Sequence, residues 1–130
     1  MLNPSTADAT QDDPTIRKCR GFTERLGYKR FDVGNLFAYR TTYPKELYQN
    51  QAPIGPDNDS YLLDIARRCD FLILAWGKHG KFLNRQYEVR ETLRAFDCKY
   101  LRLNKDLTPA HPLMLPYELS PIKWDFAWGS

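Results

Sequence analysis

The stretch DFLILAWG, at residues 70–77, restricts the possible folds of this chain more than any other feature. Its apolar side chains are consecutive rather than alternating, which is typical of a strand covered on both faces. Amphipathic helical patterns precede and follow it. Strands that alternate with helices form a parallel sheet with helices on both faces. The sequence therefore predicts an α/β protein, a three-layer α/β/α sandwich with a central, mostly parallel sheet.

The other elements are predicted from local signals. Asp13-Pro14 is a good helix start, since an acidic N-cap precedes proline at the first helical position, and Gly27 ends that helix. Asn58 or Asp59 is expected to cap a second helix. The run KHGKFLNRQYEVRETLRAF, at 78–96, predicts one basic amphipathic helix with a solvated cationic face. RFDVGNLFAYR (30–40) and CKYLRLN (98–104) predict strands, and the proline-rich remainder predicts a looped tail.

Size and composition limit the class of protein. A chain of 130 residues that is 42% hydrophobic suits a single domain over 1–130. The formal net charge of +3 permits a nucleic-acid partner without requiring one. Three scattered cysteines with no CxxC pairing favour buried thiols in a reducing, cytoplasmic setting over disulfides or a zinc site. The longest apolar run is too short to cross a membrane, so no membrane association is predicted.

The loops that follow strands are the expected site, because parallel sheets bind ligands outside the carboxyl ends of their strands. These loops carry several polar candidates: Asn3, Ser5, Asp8, Asn35, Tyr39, Arg40, His79 and His111. The loop NPSTAD also looks like one that leaves a strand. We therefore expect that the fold lacks its first strand, or that the chain is trimmed before Met1.

Each candidate also has a structural interpretation. Asn3 before Pro4 is a common turn former, and Trp76 at the end of an apolar strand is expected in the core. Asn35 is harder to explain structurally, since strand interiors disfavour asparagine and its buried amide needs partners. No Walker loop, GxGxxG, HExxH or GxSxG motif occurs, and no side chains have metal-ligand spacing. No cofactor or metal is predicted.

Motifs along nearly the whole chain resemble one family. MLNPSTADATQDDPTIRKC, NLFAYRTTYPKEL, GPDNDSYL, LAWGKHG and HPLML occur in its order. It is the bacterial and phage family catalogued as domain of unknown function 1643. Its relatives usually carry a strand before MLNPST, and its name assigns no function.

A second resemblance does suggest a function. The order of the motifs LNPS, VGNLF, LAWG and HPL is similar to that of the uracil-DNA glycosylase superfamily, an α/β/α sandwich. The resemblance implies that Asn3 orients the attacking water, where many relatives have aspartate. It implies that Asn35 reads the edge of a flipped base and that His111 stabilises the departing base. Trp76-Gly77 matches the end of another strand in that superfamily.

The same resemblance extends to neighbouring residues. Substrate contacts are expected from Ser5, Asp8, Tyr39 and Arg40, and backbone phosphate contacts from Arg17, Lys18 and Arg20. Two departures are clear: the usual stacking aromatic after the first motif is absent, and the His-Pro loop lacks its serine-rich continuation.

Three functions thus remain open. The first is a glycosylase-type enzyme that acts on DNA or on a nucleotide. The second is a non-catalytic module that binds a nucleotide or a nucleic acid. The third alternative is a protein-interaction domain that uses the exposed Tyr43–Tyr48 excursion. The sequence leaves the identity of any protein partner open.

Overall fold

The architecture is that of an α/β protein, as the alternation of patterns predicts. A computed structural model describes residue 1 and residues 14–37, 54–55 and 57–125. Its helices are α1 (Pro14–Arg25), α2 (Asn58–Arg68) and α3 (Arg85–Thr92), with 3-10 helices at Lys78–Asn84 and Pro112–Met114. Its strands are β1 (Leu72–Ile73), β2 (Cys98–Tyr100) and β3 (Ile122–Lys123).

The three described strands form one mixed sheet in the order β1-β2-β3. β1 pairs with β2 in parallel, with Leu72 opposite Cys98. β2 pairs with β3 in antiparallel fashion, with Tyr100 opposite Ile122. The parallel pair follows the sequence prediction, whereas β3 lies in the predicted looped tail. Its two side chains are both exposed, so no hydrophobic pattern marks it as a strand.

The first two helices begin close to where the sequence predicts. Proline is tolerated at the first position of α1, since the N–H that it lacks has no intrahelical partner there. The predicted cap of α2 is wrong in detail. Asp57 holds the N-cap position, and its side chain makes no capping hydrogen bond. The Asn58 amide instead bonds outside the helix, to the carbonyls of Asn35 and Leu36 at 2.8 and 2.9 Å.

The predicted single helix over 78–96 is wrong, because the backbone is interrupted at its middle. Phe82 is extended, and Leu83 and Asn84 have φ of 56° and 57°, the left-handed region that L-residues rarely adopt. The 3-10 helix therefore ends at Asn84 and α3 starts afresh at Arg85. This break turns Arg85 and Gln86 inward, and both are fully buried.

The segment at 31–37 lies where the sequence predicts a strand over 30–40, but it does not form a regular strand. The Met1 amino group donates to the Gly34 carbonyl at 2.6 Å, and the Leu36 N–H donates to the Met1 carbonyl at 2.9 Å. These two bonds follow the pattern of a parallel ladder. Gly34 is required for packing, since a Cβ there would lie 2.6 Å from Cδ2 of Leu62 on α2.

The core is shared between these elements. One cluster joins α2, α3 and the sheet through residues that include Leu62, Leu74, Val89 and Trp124. A second cluster joins α1 to the tail through Phe22, Leu101, Ala110 and Leu115. The thiols of Cys19 and Cys69 are partly buried, and that of Cys98 is buried. Burial raises the pKa of the Cys98 thiol, which keeps it protonated and unreactive near neutral pH.

Candidate functional site

A cavity of about 640 Å³ lies between α1, α2, β1 and the segment at 28–36. We call it the inner cavity. Its wall is mainly apolar, and its few polar groups include Asn35. Trp76 and Pro112 line the same cavity. Its volume and lining suit a small-molecule site, which is usually a concave apolar space with a small number of placed polar groups.

Asn35 is held by its backbone and leaves its side-chain oxygen unpaired. Its carbonyl accepts from Asn58, which fixes this end of the segment against the first turn of α2. Its Oδ1 is buried and has no hydrogen-bond partner among the residues that the structure describes. A buried unpaired acceptor costs about 1–3 kcal/mol, so such a group is uncommon unless water or a ligand satisfies it.

Arg85 clamps the same end of the segment. Its side chain is only 1% exposed, and its Nε donates to the Leu36 carbonyl at 2.7 Å. Its Nη2 lies 2.7 Å from Oδ1 of Asp59, an ion pair whose N–H direction is too poor for a hydrogen bond. Glu88 is a weaker partner at 3.9 Å. The guanidinium is thereby committed to structure, and it positions Asn35 rather than binding an anion.

Gln86 supplies an unpaired donor. It is fully buried, and its Oε1 accepts from the indole Nε1 of Trp76 at 3.0 Å. The indole can only donate, so this bond fixes which end of the Gln86 amide is the oxygen. Nε2 is consequently the other end, and within the described part of the chain it is buried without a partner. Asn35 and Gln86 thus offer an acceptor and a donor that nothing in the described residues satisfies.

The structure brings Trp76-Gly77 and His111 together, as the sequence predicts for strand-end loops. The Gly77 N–H donates to the Pro109 carbonyl at 2.8 Å. A Cβ on Gly77 would lie 3.7 Å from Cβ of His111. Gly77 has φ of 78°, which favours glycine at this turn.

The tautomer of His111 follows from its own turn. Its Nδ1 accepts from the Leu113 N–H at 3.3 Å, so Nδ1 carries no proton. In neutral imidazole the proton is then on Nε2, which makes Nε2 a donor. Such a donor is what stabilises negative charge on a leaving group. His79 is the other histidine of these loops, and burial, followed by the charge of Lys78, lowers its pKa.

The loop that leads to His111 is fixed by Asp106. Its Oδ1 accepts from Thr108 Oγ1 at 2.5 Å and from the Thr108 N–H at 3.1 Å. Its Oδ2 pairs with Lys81 Nζ at 3.0 Å. The hydrogen bonds from the Thr108 side chain and backbone, with Lys81 beside it, lower the pKa of Asp106 to about 2 against the opposing effect of burial.

Replacing Asp106 with asparagine is therefore expected to lower the free energy of unfolding by about 1 kcal/mol at pH 7, after allowance for solvent screening. Because the pKa of Asp106 is lower in the folded protein, its carboxylate stabilises the fold at pH values above the unfolded pKa of 3.8. This stabilisation is lost as the pH falls to about 2. Chemical unfolding of the unsubstituted protein and of the asparagine variant across this pH range checks the sign of the effect. The difference between their free energies of unfolding must shrink as the pH falls. D97N is the control, since Asp97 lies 3.8 Å from its Lys99 partner. A difference that grows below pH 4 would contradict the assignment.

The basic residues predicted on α1 occupy different environments. Arg17 and Arg20 are exposed. Lys18 is half-buried, with its Nζ 3.9 Å from the ring centroid of Tyr117 and 5.8 Å from that of Phe22. Desolvation over two rings makes Lys18 part of the packing of α1 against the tail. Its predicted role at phosphates stays a prediction, as do those of Arg17 and Arg20.

Several predicted site residues lie outside the described part of the chain, and their roles stay predictions. These are Asn3, Ser5, Asp8, Tyr39 and Arg40. The same holds for the Tyr43–Tyr48 excursion. Within the described ranges, no group of three or more histidine, cysteine, aspartate or glutamate residues could hold a metal ion. Among those same ranges, no helix is both long and apolar enough to span a bilayer.

Sequence reasoning missed Arg85, which it placed on a solvated helix face, and Gln86, which it did not single out. One signal was available. Buried tryptophan needs an acceptor for its N–H, and Gln86 is a polar side chain ten residues beyond Trp76. Asn84 was a second signal, since asparagine tolerates the left-handed conformation that breaks the helix.

These features define an α/β protein with a mainly apolar cavity and buried, unpaired amide groups beside it. The sequence model of one family matches residues 1–113. The chain belongs to that family, described as a protein of unknown function (DUF1643). No curated protein and no solved structure gives a significant match.

Proposed function

We propose that this protein recognises a nucleobase, in DNA or in a nucleotide, and hydrolyses its N-glycosidic bond in the manner of a DNA glycosylase. The observation that carries the proposal is the buried, unpaired Oδ1 of Asn35 on the wall of the inner cavity. The proposal includes the fold of that enzyme class, a three-layer α/β/α sandwich with a uracil-DNA-glycosylase-like topology.

The unpaired Asn35 oxygen suits the edge of a base. Nucleobases present donors and acceptors side by side on planar, otherwise apolar rings. Asn35 Oδ1 would accept from such an edge, and Trp76, which Gln86 holds by a hydrogen bond, lines the same cavity. An apolar cavity that leaves this acceptor unsatisfied would discriminate strongly against ligands without a matching donor.

His111 supports the catalytic part of the proposal. When the bond between C1′ and the base nitrogen breaks, the electron pair leaves with the base and the sugar becomes positively charged. A donor at His111 Nε2 would stabilise the negative charge on the base, and water would add its hydroxyl to C1′ and its proton to the base. His111 immediately precedes Pro112, which lines the cavity with Asn35. Asn3 remains the sequence-based candidate for orienting the water.

A base-release assay tests this function. The full-length protein would be incubated with oligonucleotides carrying uracil, mismatched or hypermodified bases. We expect release of one base class, and a loss on the order of a hundredfold in H111A, because the variant removes the donor to the leaving base. N3A and N35A should also lower release. H79A is the matched control, since it removes a histidine outside the proposed role. No release from any substrate, with unchanged binding in N3A and H111A, would overturn the proposal.

A non-catalytic binding module is the second candidate. Asparagine at position 3 can orient a water but cannot accept its proton as a carboxylate would. Binding that weakens with salt, without base release, would favour this candidate over the enzyme.

A further inference from the structure

The charge of this protein is concentrated in one part of the chain. Residues 14–33 carry six of its 19 basic residues and only two of its 16 acidic ones. This excess exceeds the net charge of +3 for the whole chain. The region comprises α1 and the segment that follows it, and it contributes to one wall of the inner cavity.

A second cavity, of about 520 Å³, opens within this region. We call it the basic pocket and define it by Arg20, Lys29 and Arg30, with Tyr28 and Glu24 beside them. Arg20 and Lys29 are exposed. Arg30 has one acidic neighbour, Asp32, at 3.7 Å, and its side chain is 74% exposed. Three cations against Glu24 and a loosely paired Asp32 leave the basic pocket electropositive.

Tyr28 adds an aromatic surface to the basic pocket. Its side chain is 40% exposed, and its ring is packed edge-on against Phe71, with centroids 5.4 Å apart. This contact orients the ring while leaving much of it open to solvent. Cationic grooves with exposed aromatic rings are typical of proteins that bind single-stranded nucleic acids, where bases stack and phosphates meet the cations.

The basic pocket adjoins the inner cavity. The two spaces share five lining residues: Thr23, Tyr28, Lys29, Arg30 and Phe31. The segment that lines both runs alongside α2. Its Asn35 end bonds to Asn58 at the start of α2, and Cys69, just beyond the end of α2, lines the inner cavity together with Arg30. Eleven residues of helix separate Asn58 from Cys69, which is about 16 Å.

We infer that the basic pocket binds the phosphodiester backbone of a single-stranded nucleic acid whose base enters the inner cavity. Tyr28 to Phe31 line the basic pocket and Asn35 lies at the other end of the segment, which runs alongside a helix about 16 Å long, so the ligand class that reaches both ends is a polymer rather than a free nucleotide. Lys29 and Arg20 contact phosphates, and Tyr28 stacks on a neighbouring base. This inference rests on the proposed function for the occupant of the inner cavity, but the phosphate contacts can be tested separately.

Fluorescence anisotropy of a labelled oligothymidylate and of its abasic counterpart, from 50 to 200 mM salt, tests it. We expect the full-length protein to bind both. The double variant R20Q/K29Q should bind both roughly tenfold more weakly, with a salt slope shallower by about 1.4, because two phosphate contacts are lost. Y28A should weaken binding to oligothymidylate only. DNA and RNA versions of the oligomer distinguish the two possible backbones.

The matched control is R94Q/K123Q, which removes one arginine and one lysine that line neither cavity. An equal loss in both double variants would overturn the inference, because only net charge would then matter. No loss in R20Q/K29Q would overturn it as well. Failure of the proposed function gives a different result: R20Q/K29Q still loses binding, whereas N35A changes neither base release nor the preference between oligothymidylate and the abasic oligomer.

Discussion

Replacing Arg85 with alanine is expected to lower the free energy of unfolding by about 3 kcal/mol. The Leu36 carbonyl would lose its donor, and a large, fully buried side chain would leave a cavity. Asp59 adds little to this cost because its side chain is 53% exposed and water can solvate it. Urea or thermal unfolding, followed by circular dichroism, measures the change. Arg85→Lys should recover only part of it, since one ammonium cannot reach the carbonyl and the carboxylate in the same fork geometry.

Arg94→Ala is the control for this experiment. Arg94 pairs with Glu91 at 3.0 Å, but both side chains are more than 70% exposed. Such a pair contributes less than about 1 kcal/mol. A cost for Arg85→Ala no larger than that of Arg94→Ala would show that the buried guanidinium is not a clamp.

Replacing Gly80 with alanine is expected to destabilise the protein by about 3 kcal/mol. A Cβ at this position would overlap the indole of Trp76 at Cδ1 and Nε1. The indole is buried and hydrogen-bonded to Gln86, so moving it breaks that bond and disturbs the core. Gly80 does not have a positive φ, and the penalty therefore comes from the contact alone. Unfolding curves and the tryptophan fluorescence of the native state measure the two effects.

Gly27→Ala is the control for this prediction, because it introduces backbone strain without a steric contact. Gly27 has φ of 84°, and a Cβ there would meet nothing within 4 Å. Its cost is expected to be about 1 kcal/mol, with unchanged tryptophan fluorescence. If G80A costs no more than G27A and leaves the emission spectrum unaltered, Trp76 has room that the structure does not indicate.

Capping residues, turn residues and apolar runs predicted the elements whose boundaries depend on the neighbouring residues in the chain. Pro14 begins α1, Gly27 lies just beyond its end, and the apolar run at 70–77 contains β1. The positive φ of Leu83 was not predictable in this way, although Asn84 beside it is a local signal for a break, since leucine avoids positive φ and only the surrounding fold can hold it there. β3 was missed for a related reason. Ile122–Lys123 is an exposed edge, and its identity as a strand comes from the partner it meets.

In the candidate site, too, some residues were predictable from the sequence and others depend on the tertiary fold. The sequence predicts that Asn35, Trp76, Gly77 and His111 lie near one another, because the carboxyl ends of strands converge in this class of fold. It could not place Arg85 or Gln86, whose burial depends on the interrupted helix. The sequence context of Asn35 predicts partners for its amide if it is buried, whereas its Oδ1 has none among the described residues.

The position of β2 in the centre of the sheet affects how the chain resists association. Its antiparallel neighbour begins 22 residues later, at Ile122, and covers one edge of β2. A chain whose tail detached from this edge would present unpaired backbone groups, which a strand of another molecule could occupy. The short tail strand therefore protects the protein against edge-to-edge association as well as completing its sheet.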